Sequence, residues 1–246
     1  MRILSIYLKY HLSFARPEMK VPREDAVRTQ KRLLAAAGEA FAEKGYREAT
    51  VSEICERAES NVAAVNYHFG NKETLYIKAW RHAFYESLKV HPPDGGISAN
   101  APPEERLRGR VKALLHRVTS ANNKEFLIVL RELANPTGLL DEVTRKELYP
   151  LREKMEGLIR ELLGPDASET QVRFCATGIV SQCVIPVLIR RMERGKQGGE
   201  SDDFGIDDIE SYADHVVRFS LAGIRSIQGE AEKRTKRIHR GIHENQ

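Results

Sequence analysis

Thr50-Val51-Ser52-Glu53-Ile54-Cys55-Glu56-Arg57-Ala58-Glu59-Ser60-Asn61-Val62-Ala63-Ala64-Val65-Asn66-Tyr67-His68-Phe69 contains two short helical segments and the turn between them. Thr50 is an N-cap residue by type, and Glu53 completes a capping-box pattern behind it, so a helix starts here. Ile54 and Ala58 share one edge of that helix. Glu59-Ser60 makes the turn, Asn61 caps the next helix, and Val65 and Phe69 give that helix an apolar edge of its own. Gly70-Asn71 breaks it. Two short helices joined by a tight turn form the helix-turn-helix geometry.

The flanks fit that reading. Upstream, Leu33, Leu34, Ala37 and Phe41 recur at helical spacing, which predicts a helix from about Glu24 to Lys44 ended by Gly45. Phe41 and Tyr46 then lie beneath Ile54, Ala58, Val65 and Phe69, bracing the second short helix. Val62, Ala63, Asn66 and Tyr67 are left on its presented face. No acidic residue falls between Asn61 and Asn71, as a phosphate-facing surface requires.

Downstream, a long helix is expected over about 72–90, and the Pro/Gly-rich stretch 91–103 reads as a linker. Further helices are expected at about 104–120, 124–134, 141–163, 169–194 and 207–228. Pro150 and Pro186 should kink or divide two of them. Sustained strand alternation is missing, so the fold class is all-α: a three-helix helix-turn-helix domain followed by a larger helical bundle. The expected organisation is an extension over 1–22 outside the fold and a DNA-binding unit over 23–84. A larger helical domain over 85–228 and a basic polar tail over 229–246 complete it.

Bulk properties bound the function without deciding it. A chain with 41% hydrophobic and 30% charged residues is an ordinary globular protein rather than a disordered one. The formal charge of +4 resides in the two tails, residues 1–22 and 229–246, and leaves the body slightly acidic, so it is no evidence for a basic DNA-binding face. Cys55, Cys175 and Cys183 have neither disulfide-framework nor zinc spacing, and fit packing in a reducing cytoplasm. No uninterrupted apolar run reaches membrane length, and the segment before Lys9 lacks a signal-peptide cleavage pattern. Residues 1–18 are expected to be dispensable.

Residues 29–76 resemble the N-terminal domain of the TetR/AcrR family of bacterial repressors. Two separated blocks carry the likeness: Phe41-Ala42-Glu43-Lys44-Gly45-Tyr46-Arg47-Glu48-Ala49-Thr50-Val51-Ser52-Glu53-Ile54 and Ala64-Val65-Asn66-Tyr67-His68-Phe69-Gly70-Asn71-Lys72-Glu73-Thr74-Leu75-Tyr76. Asn61 to Phe69 is similar to the subgroup of the cefoperazone/chloramphenicol-sensitivity regulator. Asn66 stands where most members carry an aromatic residue, and Glu59 where most carry glycine, which tolerates a positive φ more easily. The resemblance implies a homodimeric transcription factor, a repressor released from a palindromic operator by a small apolar or amphipathic effector. Thr50, Tyr67, His68 and Lys72 would touch phosphates. Asn61, Val62, Ala63 and Asn66 would approach base edges, where an amide can pair with adenine and methyl groups can meet thymine.

For the rest of the chain, the resemblance implies middle helices around a ligand pocket and a dimer interface built from the helices at about 169–194 and 207–228. The nearly all-round apolar character of 172–189 and a stripe of Tyr212, Val216, Phe219 and Ile224 support that interface independently. Pocket candidates are Trp80, Phe84, His116, Phe126, Arg131, Gln182 and Pro186. His82, His116 and His215 lack triad context, and no phosphate-binding loop or nucleophile elbow occurs. No enzyme activity, metal or cofactor is therefore expected, and no membrane partner. The alternative reading is a helical enzyme or ligand carrier whose helix-turn-helix is incidental.

Overall fold

A computed structural model describes residues 24–120, 123–194, 206 and 208–243. Among the described residues the regular structure is all helical, with α1 Glu24–Glu48, α2 Val51–Arg57, α3 Val62–Phe69, α4 Lys72–Val90 and α5 Pro103–Thr119. These are followed by α6 Lys124–Ala134, α7 Asp141–Leu163, α8 Glu169–Arg194 and α9 Ile209–His243. The expectations for residues 1–18, 1–22 and 195–205 lie outside the described residues.

Gly45 breaks α1 with φ 78° and ψ 177°, a conformation open only to glycine, and a last helical turn resumes beyond it. Thr50 caps α2 by accepting from the Glu53 amide at 3.1 Å. Only this half of the expected capping box forms. The Glu53 carboxylate is drawn away to Lys44 at 2.8 Å and to Arg57, because two cations outcompete one backbone amide. Hydrogen bonding from Lys44 holds that carboxyl below the usual range. Glu43 joins the cluster through Arg57 at 2.7 Å, so α1 and α2 are tied across their exposed edge.

Two apolar clusters organise the chain. In the first, Leu33, Phe41, Ile54, Val65, Phe69 and Leu75 pack with Trp80 and Phe84, and Ile128, Leu140 and Val143 join them from beyond the linker. The second gathers Leu107, Val111, Leu115, Ile159, Cys183 and Val216 from α5, α7, α8 and α9. Helices α4, α6 and α7 therefore carry packing from the helix-turn-helix into the bundle.

Residues 91–102 read as a linker, but they are fastened down. A Cβ on Gly95 would lie 2.4 Å from the Gly109 carbonyl oxygen, and one on Gly109 would lie 2.5 Å from Ile97, so the segment seats against α5 through two glycines. Of the two outcomes expected at Pro150 and Pro186, a kink or a division, neither proline divides its helix; α7 and α8 run on through them. Helix α9 also extends past the expected end at 228, reaching His243.

Residues Glu169–Arg190 reach a mean hydropathy of 1.8, enough by length and composition for a membrane span, although only 28% of that stretch is buried. Uninterrupted apolar runs are too short, but an averaged window is not. Val172, Ala176, Ile179, Cys183 and Val187 face the bundle, while Phe174 is 72% exposed on the opposite side. Phe219 leaves the stripe expected on α9: Val216 and Ile224 are buried, whereas Phe219 is 65% exposed.

Candidate nucleic-acid interface and bundle cavity

The reading helix α3 is held from below and from both ends. Ile54 and Ala58 of α2 and Val65 and Phe69 of α3 are all buried, over Phe41 and the half-buried Tyr46. At its start, Asn61 Oδ1 accepts from the Ala64 amide at 2.9 Å. At its end, Gly70 adopts φ 79° and Asn71 Oδ1 accepts from the Thr74 amide at 2.8 Å, capping α4 directly behind. The sequence reading gave Asn71 only a helix-breaking role; its capping type immediately before Lys72 was the available signal.

The turn between α2 and α3 carries the one positive φ among described non-glycine residues, Glu59 at 46°. This is where the family pattern would place glycine. Arg32 of α1 holds the turn, donating to the Glu59 carbonyl at 3.4 Å and to its carboxylate at 3.3 Å. Neither contact was anticipated, since residues 27 positions apart in sequence show no local pattern.

The residues expected to touch DNA are exposed or half-buried. Thr50, Asn61, Val62, Ala63, Asn66 and Tyr67 are exposed, with Tyr67 at 80%, and His68 is half-buried edge-on to it, ring centroids 4.9 Å apart. Asn61 spends its carbonyl on the helix cap, which leaves its amide NH₂ group to donate. Lys72 is half-buried, with its ammonium 4.7 Å from the Tyr46 ring centroid, and burial lowers its pKa. This contact holds the charge at the start of α4 over Tyr46 of α1.

A cavity of about 450 Å³ opens inside the bundle. Trp80 and Phe84 of α4, stacked with centroids 5.2 Å apart, line one end together with Phe126 of α6. The other four pocket candidates lie elsewhere. His116 stacks on His91 at 6.0 Å and approaches Glu210 at 3.5 Å, while Gln182 bonds the Gly178 carbonyl at 3.2 Å. Arg131 turns to the Ala42 and Glu43 carbonyls of α1, and Pro186 is absent from the wall. These four positions were read from helix faces alone, and a face shared with the core does not say which cavity it meets.

The cavity's polar members were not foreseen. Arg117 and Glu125 pair at 3.7 Å with side chains only 14% and 7% exposed, and burial pushes the Glu125 carboxyl up. Trp80 Nε1 donates to the Glu125 carbonyl at 3.2 Å, fixing the indole against α6. Arg110, Asn123, Arg152 and Glu156 also contribute.

Comparison with known proteins matches these two regions separately. Residues 33–79 match the model for bacterial regulatory proteins of the tetR family. Residues 103–224 match the C-terminal domain of the HTH-type transcriptional dual regulator CecR. The chain is 31% identical over 169 residues to the HTH-type transcriptional dual regulator CecR of Shigella flexneri, covering 63% of this chain and 73% of that protein. It is also 33% identical over 64 residues to the HTH-type transcriptional repressor NicS of Pseudomonas putida, 26% of this chain and 30% of that one.

Among solved structures, the fatty acid degradation regulator FadR of Bacillus halodurans superposes with a TM-score of 0.61 at 19% identity, covering 80% of this chain and 96% of FadR. A TetR-like regulator of Rhodococcus sp. RHA1 gives 0.59 at 18% identity, covering 81% and 97%. At these identities the likeness is one of fold. Together with the two matched regions and the CecR relative, it establishes that the chain belongs to the TetR family of DNA-binding transcriptional regulators and carries a CecR-type C-terminal domain.

Proposed function

We propose that this regulator is a homodimeric repressor that reads a palindromic operator through α3 and leaves it when a small apolar or amphipathic molecule fills the bundle cavity. Residues 23–84 form the DNA-reading unit in this account, and 85–228 the effector and dimer unit. Asn66 and Asn61 donate to or pair with base edges, Val62 and Ala63 meet thymine methyls, and Thr50, Tyr67, His68 and Lys72 hold phosphates. Dimerisation through 169–194 and 207–228 is supported by the exposed apolar side chains Phe174, Ile185 and Phe219. Such a protein works where the chromosome is, in the cytoplasm.

One observation carries the reading of release. Trp80 and Phe84, which line the cavity, lie on α4, whose first turn is capped by Asn71 directly behind the reading helix. A tilt of α4 on ligand entry therefore changes the separation of the two reading helices. A dimer must keep them about 34–36 Å apart to meet successive major grooves. Recovery and sequencing of DNA crosslinked to the protein in its host tests the operator. Enrichment of a two-fold symmetric motif is expected, and enrichment of no motif would overturn the reading.

A further inference from the structure

Helix α5 turns Arg110, Ala113, Leu114, Arg117 and Val118 toward the cavity. This is one stripe at helical spacing, with Ala113 and Leu114 between its two arginines and Val118 beyond Arg117. Seven residues of helix place the two arginines about 10 Å apart along the axis. The Arg117 end is the aromatic end. Its guanidinium lies 5.8 Å from the Phe84 ring centroid, and Glu125 answers its charge. The Arg110 end lies beside the segment seated on Gly109.

The charges around the cavity do not cancel. Its wall holds Arg110, Arg117 and Arg152 against Glu125 and Glu156. Glu125 is answered by Arg117 at 3.7 Å and Glu156 by Arg152 at 3.5 Å. Among the described residues no carboxylate stands within ion-pair distance of Arg110. Asp94 acts on it only through space, and burial lowers its pKa. His91, also on the wall, has its pKa lowered by burial and by the neighbouring His116 and Arg117, and so adds no cation at neutral pH. The surplus is one half-buried guanidinium, at one end of an apolar stripe.

We propose that the cavity takes an amphipathic monocarboxylate, its carboxylate on Arg110 and its apolar tail running along Ala113 and Leu114 to the Trp80–Phe84 end. The planar guanidinium fork matches a carboxylate in two parallel hydrogen bonds, and an unpaired anion could not enter so apolar a chamber without it. An ammonium headgroup would meet a surplus of positive charge. An alcohol would leave Arg110 unanswered. The volume of about 450 Å³ suits a small ligand rather than a macromolecular segment. This assignment rests on the reading of the cavity as the effector site.

The test uses the full-length protein and three probes of equal chain length: decanoate, 1-decanol and decylamine. Trp80 is the only tryptophan, so its emission reports occupancy directly, and calorimetry gives the affinities. Decanoate is expected to bind about tenfold or more tighter than the other two. Arg110→Gln is expected to remove that preference while leaving decanol affinity unchanged, and Arg110→Lys to keep part of it. Circular dichroism establishes that each variant is folded. Equal affinity for decanol or decylamine, or a preference that survives Arg110→Gln, overturns the carboxylate while leaving the cavity as an effector site. If none of the probes changes Trp80 emission or gives binding heat, the effector-site reading falls as well.

Discussion

Lys72 and Asn66 are proposed for different tasks at the DNA, and substitution separates them. The Lys72 ammonium rests over the Tyr46 ring, so its position at the start of α4 is held by the protein's own packing. Lys72→Ala should weaken binding to operator and to random duplex alike and reduce the slope of log affinity against log salt by about one unit. A salt titration by fluorescence anisotropy measures this, and an unchanged slope would remove Lys72 from the phosphate contacts. Asn66 is exposed on the presented face. Asn66→Ala should instead relax selectivity at one base position by about 1–3 kcal/mol. Equal losses on specific and random DNA would refute a base-reading role.

Gly45 gives a stability prediction of the same kind. Its φ of 78° and ψ of 177° are hostile to a side chain, yet an added Cβ would meet Arg131 at an ordinary 3.6 Å. The cost of Gly45→Ala is therefore backbone strain alone, about 1–3 kcal/mol, measurable by urea unfolding. At this scale the sequence was most legible where chemistry is local. Thr50, Asn61 and Gly45 do what their types suggest. Glu53 does not, because its partner Lys44 comes from another helix, and Arg32 was invisible for the same reason.

At the scale of elements, α6 links the cavity to the DNA-reading unit. Its first turns contribute Glu125, Phe126 and Val129 to the cavity wall. Its Arg131 donates to the Ala42 and Glu43 carbonyls at the break in α1, and Lys124 pairs with Glu39 at 2.7 Å. Arg131→Ala should lower stability by about 1–2 kcal/mol through those lost charge-assisted bonds and should weaken operator binding more than cavity binding. Parallel anisotropy and calorimetry test the split; equal effects on both would make Arg131 a purely structural clamp.

On α8, burial pushes the Cys183 thiol up to about 12. The unfolded thiol ionises first, so this group favours the native state below pH about 9. Its contribution is lost as pH rises from there toward about 12. In folded protein at pH 8, Ellman's reagent should label the half-buried Cys175 before Cys183. Early labelling of Cys183 would contradict its packing.

Helix bounds in this region were readable because Asn123, Gly164 and Gly138 punctuate the chain. The prolines left a kink or a division open, and the fold leaves both helices undivided, since tertiary packing can hold a helix across a missing hydrogen bond.

For the whole molecule, the isolated chain leaves an apolar face unmatched. Phe174 on α8 and Phe219 on α9 are both more exposed than any role in a monomer explains. The apolar character of 172–189 was plain in the sequence; which side stays uncovered required the fold, because helical spacing alone put Phe219 with Val216 and Ile224. The cavity was legible only in part. Trp80, Phe84 and Phe126 were found because large aromatics on the bundle helices are few, while Arg110 and Arg117 were not singled out, since an arginine on a helix carries no local sign of facing a cavity. Phe174→Glu combined with Phe219→Glu should yield a folded monomer by sedimentation velocity, with operator affinity reduced far below that of wild type. A dimer that survives both charges would move the interface elsewhere.

The claim on which the rest depends is that two copies of α3 read one operator together. Hydroxyl-radical footprinting on the DNA site recovered by crosslinking tests it most directly. Two equivalent protected patches, centred about 10–10.5 base pairs apart or at a multiple of that spacing, are the result this account requires. A single patch, or uniform protection that does not depend on sequence, would contradict it.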